Sequence, residues 1–226
     1  MSICKIILFI TVIFLGIQIC SAQEISIRGG FNLSQFWMEY EDVIGIPEGM
    51  IQNPGFNIGP VLDLPISKIF SVETGILYTT KGYRSHVESG GALFEGRKNL
   101  YYLDVPVLFK ITVPVKKIGI FAMAGPYIGE ALYGKEKLVT TYNSVTDKWE
   151  GNILWGDEPD EYDRFDYGLK FGTGVRYAKW QMGACYELGL KNFSNLHRAP
   201  YLATIKNRVM EFYISYALIN LKSNKK

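Results

Sequence analysis

The sequence predicts an all-β fold: a closed, antiparallel, up-and-down eight-stranded transmembrane β-barrel. Three observations predict it. Beyond an N-terminal segment, apolar residues alternate with polar residues or glycine at period two, the spacing that puts neighbours on opposite faces of a strand. The connections between these stretches alternate between short turns and long polar loops, as in membrane barrels. No later stretch is apolar enough for a spanning helix. A membrane location therefore requires a closed barrel, in which strand pairing satisfies every backbone group.

The N-terminal segment reads as an export signal. Lys5 supplies a positive charge, Ile6 to Ile19 is apolar except for Thr11, Gly16 and Gln18, and Cys20-Ser21-Ala22 precedes Gln23. This is the pattern of a secretory signal peptide cleaved after Ala22. The apolar run is shorter than the roughly 20 residues of a spanning helix. Residues 1–22 are thus assigned to export and residues 23–226 to one barrel domain in the outer membrane. Cys4 and Cys20 leave with the signal, so Cys185 remains alone and no internal disulfide is possible. The chain of 226 residues carries a net charge of only +2, which leaves no footprint for nucleic acid.

The clearest strand is Phe165 to Tyr177. One face carries Phe165, Tyr167, Leu169, Phe171, Thr173, Val175 and Tyr177; the other carries Asp166, Gly168, Lys170, Gly172, Gly174 and Arg176. No helix tolerates that density of glycine. Similar alternation places strands near 24–34, 54–64, 69–80, 99–111, 117–131, 164–177, 180–191 and 207–219. Each has about the ten residues a tilted spanning strand needs. In the fifth, Ile118, Ile120, Ala122 and Ala124 compete with Phe121, Met123 and Tyr127 for the outward face. Short turns fall around Pro65-Ile66-Ser67, around Pro114 and at Ala178-Lys179; long loops occupy 35–53, 81–98, 132–163 and 192–206.

The lumen of an eight-stranded barrel is narrow enough for side chains to fill. The glycine-plus-charge face should therefore point inward, the glycines making room for long charged side chains, and the bulky face should meet lipid. Aromatic belts are then expected at both interfaces, from Phe56, Tyr78, Tyr101 and Tyr167 at the outer rim and Phe70, Phe109, Tyr177 and Trp180 at the inner rim. The inward charges are Arg28, Lys110, Lys170, Arg176 and Lys191 against Glu73, Asp104, Asp166, Glu187 and Glu211. Of these, Asp166, Lys191 and Glu211 are expected highest in the lumen. If the tight turn opposes Tyr177 to Trp180, Lys170 faces Glu187, Asp166 faces Lys191, and Gly172 faces Cys185. A slip by one residue would flip a whole strand. The expectation is a lumen plugged by paired charges; the alternative is passage of protons or small solutes.

Several stretches resemble the PorT-like outer-membrane β-barrel family of Bacteroidota-type bacteria. They are Gly29-Gly30-Phe31-Asn32-Leu33-Ser34, Gly55-Phe56-Asn57-Ile58-Gly59, Thr74-Gly75-Ile76-Leu77-Tyr78 through Lys81-Gly82, and Tyr102 to Lys110, with Ala124-Gly125-Pro126-Tyr127, Phe165-Asp166-Tyr167-Gly168 and Tyr186-Glu187-Leu188-Gly189-Leu190 with Asn192. Position 104 is Asp where that family more often has Glu, and the chain ends on a Lys-Lys tail rather than on an aromatic of the last strand. The resemblance implies an outer-membrane, porin-like barrel, one branch of which assists protein secretion.

Candidate sites outside the lumen are sparse. A hydrolase would need a base, and only His86 (near Ser85 and Glu88) and His197 (after Ser194) exist, both in expected loops with no nucleophile and orienter at suitable spacing. The expectation is that the chain is not an enzyme. The acidic run Asp157 to Asp163 lacks the spacing of a calcium loop, and neither a metal nor a cofactor is expected. Tyr133, Tyr142, Trp149 and Trp155 in the longest loop form a candidate recognition surface for an unknown ligand or protein partner. Outer-membrane lipid is the other expected partner.

Overall fold

A computed structural model describes residues 23–40, 43–156, 161–194 and 204–221. The assigned signal peptide, His197 and most of the acidic run lie outside the described residues. The described residues form twelve strands: β1 (Gln23–Tyr40), β2 (Val43–Gly45), β3 (Met50–Ile51), β4 (Asn53–Pro65), β5 (Phe70–Gly75), β6 (Leu77–Ser89), β7 (Ala92–Val115), β8 (Ile118–Tyr142), β9 (Val145–Asn152), β10 (Phe165–Tyr177), β11 (Trp180–Gly189) and β12 (Thr204–Leu221).

Every ladder is antiparallel, and the ladders close on themselves. β5 and β6 act as one strand interrupted at Ile76, so the ring β1–β4–β5/β6–β7–β8–β10–β11–β12 has eight members, with β12 pairing back to β1. Followed from Leu33, the rungs lead through Met210, Tyr186, Phe171, Ala124, Phe109 and Val72 to Leu64. Leu64 lies beside the start of β1, next to the Asp63–Glu24 rung, and not back at Leu33. That stagger is the shear that tilts the strands of a closed barrel.

The β10–β11 hairpin has the register that its tight turn implies. Tyr177 opposes Trp180, Gly174 opposes Gly183, Gly172 opposes Cys185, Lys170 opposes Glu187 and Gly168 opposes Gly189. Ala178 opens the turn at φ 52°, and Lys116 does the same at φ 56° between β7 and β8. The second turn therefore lies at Lys116-Lys117, and Pro114 remains inside its strand opposite Gly119.

Two of the expected loops are strands. Over 81–98, β6 and β7 continue as a hairpin closed by Gly90 and Gly91, both in the left-handed region at φ 58° and 79°. Within 132–163, β8 continues into β9 through Asn143 and Ser144, at φ 48° and 65°. Paired positive φ values match the twist of a two-residue hairpin. Polarity alone suggested loops here, but a sheet standing in water can carry polar residues and remain paired.

The faces divide sharply. From the lower turns up to the level of Phe56 and Tyr167, the outward positions carry no charged side chain. On β8 the inward face is the bulky one: Phe121 and Met123 are buried, and Ile120 is 50% exposed. Glycines on β10 and β11 make this possible. A Cβ at Gly174 would stand 2.5 Å from the Phe121 ring, one at Gly172 2.8 Å from the Met123 methyl, and one at Gly183 2.7 Å from the Tyr213 hydroxyl. These inward glycines thus accommodate aromatic and thioether groups, and not the charged chains for which they were expected to leave room.

Candidate functional site

The lumen is built in layers, each set by the inward-facing residues of several strands. In the lower layer, the Arg28 Nη2 donates to Glu73 at 2.6 Å and its Nε donates to the Ser215 hydroxyl at 3.0 Å. The guanidinium lies 3.8 Å from the centroid of the Tyr213 ring. Lys110 reaches Asp63 and Glu73, each at 2.9 Å, and Gln181 at 2.7 Å. Nearer the lower opening, Arg176 pairs with Glu24. Three cations thus meet three carboxylates. Asp63 and Glu24, near the ends of their strands, complete a set that sequence reasoning had left short.

The upper layer is unbalanced. Lys81 lies 2.9 Å from Asp104, 3.1 Å from Asp166 and 3.2 Å from Glu187. Lys170 lies 2.8 Å from Glu187 and 2.6 Å from Glu211. Two lysines therefore serve four carboxylates. Tyr127 and Asn207 donate to Asp166 at 3.2 and 3.0 Å, and the Asn32 amide connects Asn57 and Thr79 beside them. Arg28, Lys81, Lys170, Tyr102 and Tyr127 are each at most 1% exposed.

Two expectations about this layer are corrected. Glu211 sits beside Lys170 at mid-height. Lys191 does not oppose Asp166, because the ladder ends at Gly189, and the amides of Leu190 and Lys191 both turn onto the Tyr167 carbonyl. Lys191 pairs instead with Asp163 at 2.8 Å, about a third exposed, and Asp166 takes Lys81. Lys81 had been assigned to a loop. It lies on β6, which continues past the expected end at residue 80 and through Gly82 at φ 139°.

An apolar cap closes the top. Phe36, Leu100, Tyr102, Ala131, Ile153, Tyr162, Phe193 and Ile205 form one buried cluster, with Trp155 packed on it. Lys98 sits within this cap, its Nζ 2.7 Å from the Tyr162 hydroxyl and 3.3 Å from Glu136. Burial opposes the charge on Lys98, yet Tyr162, Tyr83 and Glu136 outweigh it and hold its pKa above the ordinary lysine value.

Above the cap, β6, β7, β8 and β9 rise as a four-stranded sheet with two unlike faces. The face that continues the lumen wall presents Val87, Phe94, Leu138, Tyr142, Val145 and Trp149, each at least 40% exposed, with Thr140 and Asp147 between them. The face that continues the lipid side presents Arg84, His86, Glu88, Glu95, Arg97, Lys135, Lys137, Lys148 and Glu150. His86 lies on this charged face, 3.5 Å from Glu95 and 3.9 Å from Glu88. Among the described residues, β9 pairs only with β8 and its other edge has no partner strand.

The four loop aromatics therefore separate. Tyr142 and Trp149 stand on the apolar face of the sheet. Trp155 is engaged in the cap, with the Arg164 guanidinium 5.3 Å from its ring centroid. Tyr133 belongs to the upper belt, where Phe56, Tyr78, Tyr101 and Tyr133 touch in sequence at 5.8, 6.0 and 4.3 Å, and the Tyr78 and Tyr133 hydroxyls bond at 2.9 Å. Tyr167 continues this belt on β10 beside Phe165. In the lower belt, the rings of Trp180 and Tyr216 meet at a tilt with centroids 4.6 Å apart, and Phe70, Phe109 and Tyr177 are outward and exposed. Among the described residues, no group of His, Cys, Asp and Glu has the geometry of a metal site.

A search of curated proteins finds no matching sequence. Among solved structures, the chain is similar to the attachment invasion locus protein Ail of Yersinia pestis, crystallised with the heparin analogue sucrose octasulfate. That match has 14% identity and a TM-score of 0.37, and covers 87% of this chain and 99% of that one. Neisserial surface protein A matches with 10% identity and a TM-score of 0.41 over 86% and 97% of the two chains. The translocator domain of autotransporter NalP from Neisseria meningitidis matches with 8% identity and a TM-score of 0.32 over 91% and 92%. Residues 21–195 match the family described as outer membrane protein beta-barrel domain. With that match spanning most of a chain whose eight-membered ring of ladders encloses a charged interior, this protein belongs to the outer-membrane β-barrel family.

Proposed function

We propose that this chain is a non-enzymatic outer-membrane barrel with a sealed lumen, and that it binds a partner at the cell surface through the sheet above its rim. The observation that carries this reading is the apolar axial face of that sheet. Val87, Phe94, Leu138 and Trp149 stand half-exposed in water, with Asp147 among them, while most charges of the sheet lie on the opposite face. Exposed apolar patches rimmed by polar residues mark interaction sites. The open edge of β9 adds unpaired backbone groups, which suit a protein segment able to extend the sheet.

Photo-crosslinking residues placed at Phe94 or Trp149 should trap a surface partner on intact cells, and the same residue at Glu95 or Lys148 should not. Equal labelling from both faces would remove the proposal. The sealed lumen is tested separately. The purified protein should give no stable conductance in planar bilayers, and a reproducible, ion-selective current would favour small-solute passage instead. The proposal includes export through a signal peptide cleaved after Ala22, checked by sequencing the mature N-terminus. The PorT-like motifs add an accessory part in protein secretion as a finer assignment; loss of a secreted product on deletion of the gene would support it.

A further inference from the structure

The lipid-facing wall carries no charge below its upper rim; there Glu130 stands outward on β8 opposite Leu103, and β12 leaves the apolar band at Met210. The next two outward positions are Arg208 and Lys206, and both reach the same ring. Lys206 Nζ lies 5.0 Å and Arg208 Cζ 5.5 Å from the centroid of Trp37 on β1. Arg208 is oriented further by Nη1, which donates to the carbonyls of Gly189 at 2.7 Å and Asn207 at 2.8 Å. Its remaining donors, and the whole Lys206 ammonium, meet no carboxylate among the described residues. Glu39, the next outward residue of β1, forms no ion pair with either. Three other cations near the ends of the barrel are paired, Lys98 with Glu136, Lys191 with Asp163 and Arg176 with Glu24, whereas Arg97 on the upper sheet is held by the Asn53 and Asn99 amide oxygens and the Pro54 carbonyl.

A cation on the lipid side of a barrel strand costs about 0–1 kcal/mol near the interface and more with depth. Two adjacent cations repel one another unless an anion lies between them. Here they stand at the outer-leaflet end of the wall, on an indole of the kind that settles at the headgroup level. Directly below, the outward rung Leu33–Met210–Tyr186 offers apolar surface for an acyl chain. We propose that Trp37, Lys206 and Arg208 hold a phosphate group of an outer-leaflet glycolipid. The guanidinium supplies directed donors and the ammonium a point charge. The ligand is lipid-borne, because the site opens along the wall onto apolar surface and not into the aqueous cap.

The test uses the folded, detergent-solubilised protein in native mass spectrometry, titrated with phosphorylated lipid A, with the same lipid dephosphorylated, and with inorganic phosphate as competitor. Wild type should retain one phosphorylated lipid, with retention reduced roughly tenfold or more when the phosphate is absent or in a K206Q/R208Q variant, as expected for loss of charge-assisted hydrogen bonds. E130Q, on the outward face of β8, should bind as wild type. Equal retention of the dephosphorylated lipid by wild type would overturn the proposal without any variant, as would undiminished binding by a K206Q/R208Q protein with normal heat-modifiable gel mobility. Displacement of the lipid by millimolar phosphate would overturn the assignment to a lipid source.

Discussion

Along β7 the two faces exchange polarity at the rim. Below it, Lys110 and Asp104 point inward and Phe109, Val107 and Leu103 point to lipid. Above it, Phe94 lies on the axial face and Arg97 and Glu95 on the outer one. The period of two is unbroken, so backbone geometry is the same in both halves. What changes is the medium outside the wall. Lipid requires an apolar exterior and leaves polar groups only the lumen, where they must pair. Water makes no such demand, and the more apolar side of the upper sheet is left without a partner among the described residues.

The strongest way to break the lower half is to remove a shared cation. Lys81→Met leaves Asp104, Asp166 and Glu187 facing one another in a site that water does not reach. Loss of about 3–5 kcal/mol is expected, as for other buried pairs deprived of one member, read from urea unfolding followed by heat-modifiable mobility. The contrast between the halves is tested by one substitution made twice. Val107→Arg, on the lipid face, should cost about 2–4 kcal/mol. Phe94→Arg, farther along the same strand, should cost about 0.5 kcal/mol or less, yet abolish partner cross-linking from the sheet. Similar costs at the two positions would mean that the upper sheet is not solvated as described.

Packing within the lumen gives a smaller effect. Gly172→Ala brings a methyl within 2.6 Å of the Cys185 sulfur. It should destabilise by roughly 1–3 kcal/mol through overpacking, with partial relief when Cys185→Ala is added; no relief would place the strain in the backbone. The smallest effect concerns the cap. Because the pKa of Lys98 is raised in the folded protein, its contribution is fully present below the unfolded lysine pKa of ~10.4 and is lost as pH rises through the folded value. Hydrogen exchange around Tyr162 should therefore be insensitive to charge on Lys98 at neutral pH and accelerate only in strongly alkaline solution.

The β10–β11 register was legible because a two-residue turn and a strict alternation leave one alignment that pairs Lys170 with Glu187. The inward face of β8 was not, since Ile120 and Phe121 are both apolar. The choice depends on glycines that belong to the neighbouring strands. Lys81, Asp63 and Glu24 were missed because each sits near a point where its strand turns or is interrupted, and only the neighbouring strands show that it faces a charge.

An eight-membered barrel, an inward charged face on most strands and an outer-membrane address can be read directly from the order of the residues. Each follows from local rules: period, turn residues and the cost of exposing backbone to lipid. Tertiary structure alone decided which carboxylate each lysine serves, where Lys191 goes, that the polar segments over 81–98 and 132–152 are paired strands, and that Arg208 and Lys206 share Trp37. Those are contacts between residues far apart in the chain. They are fixed by the stagger of the closed ring, and no window of sequence contains it.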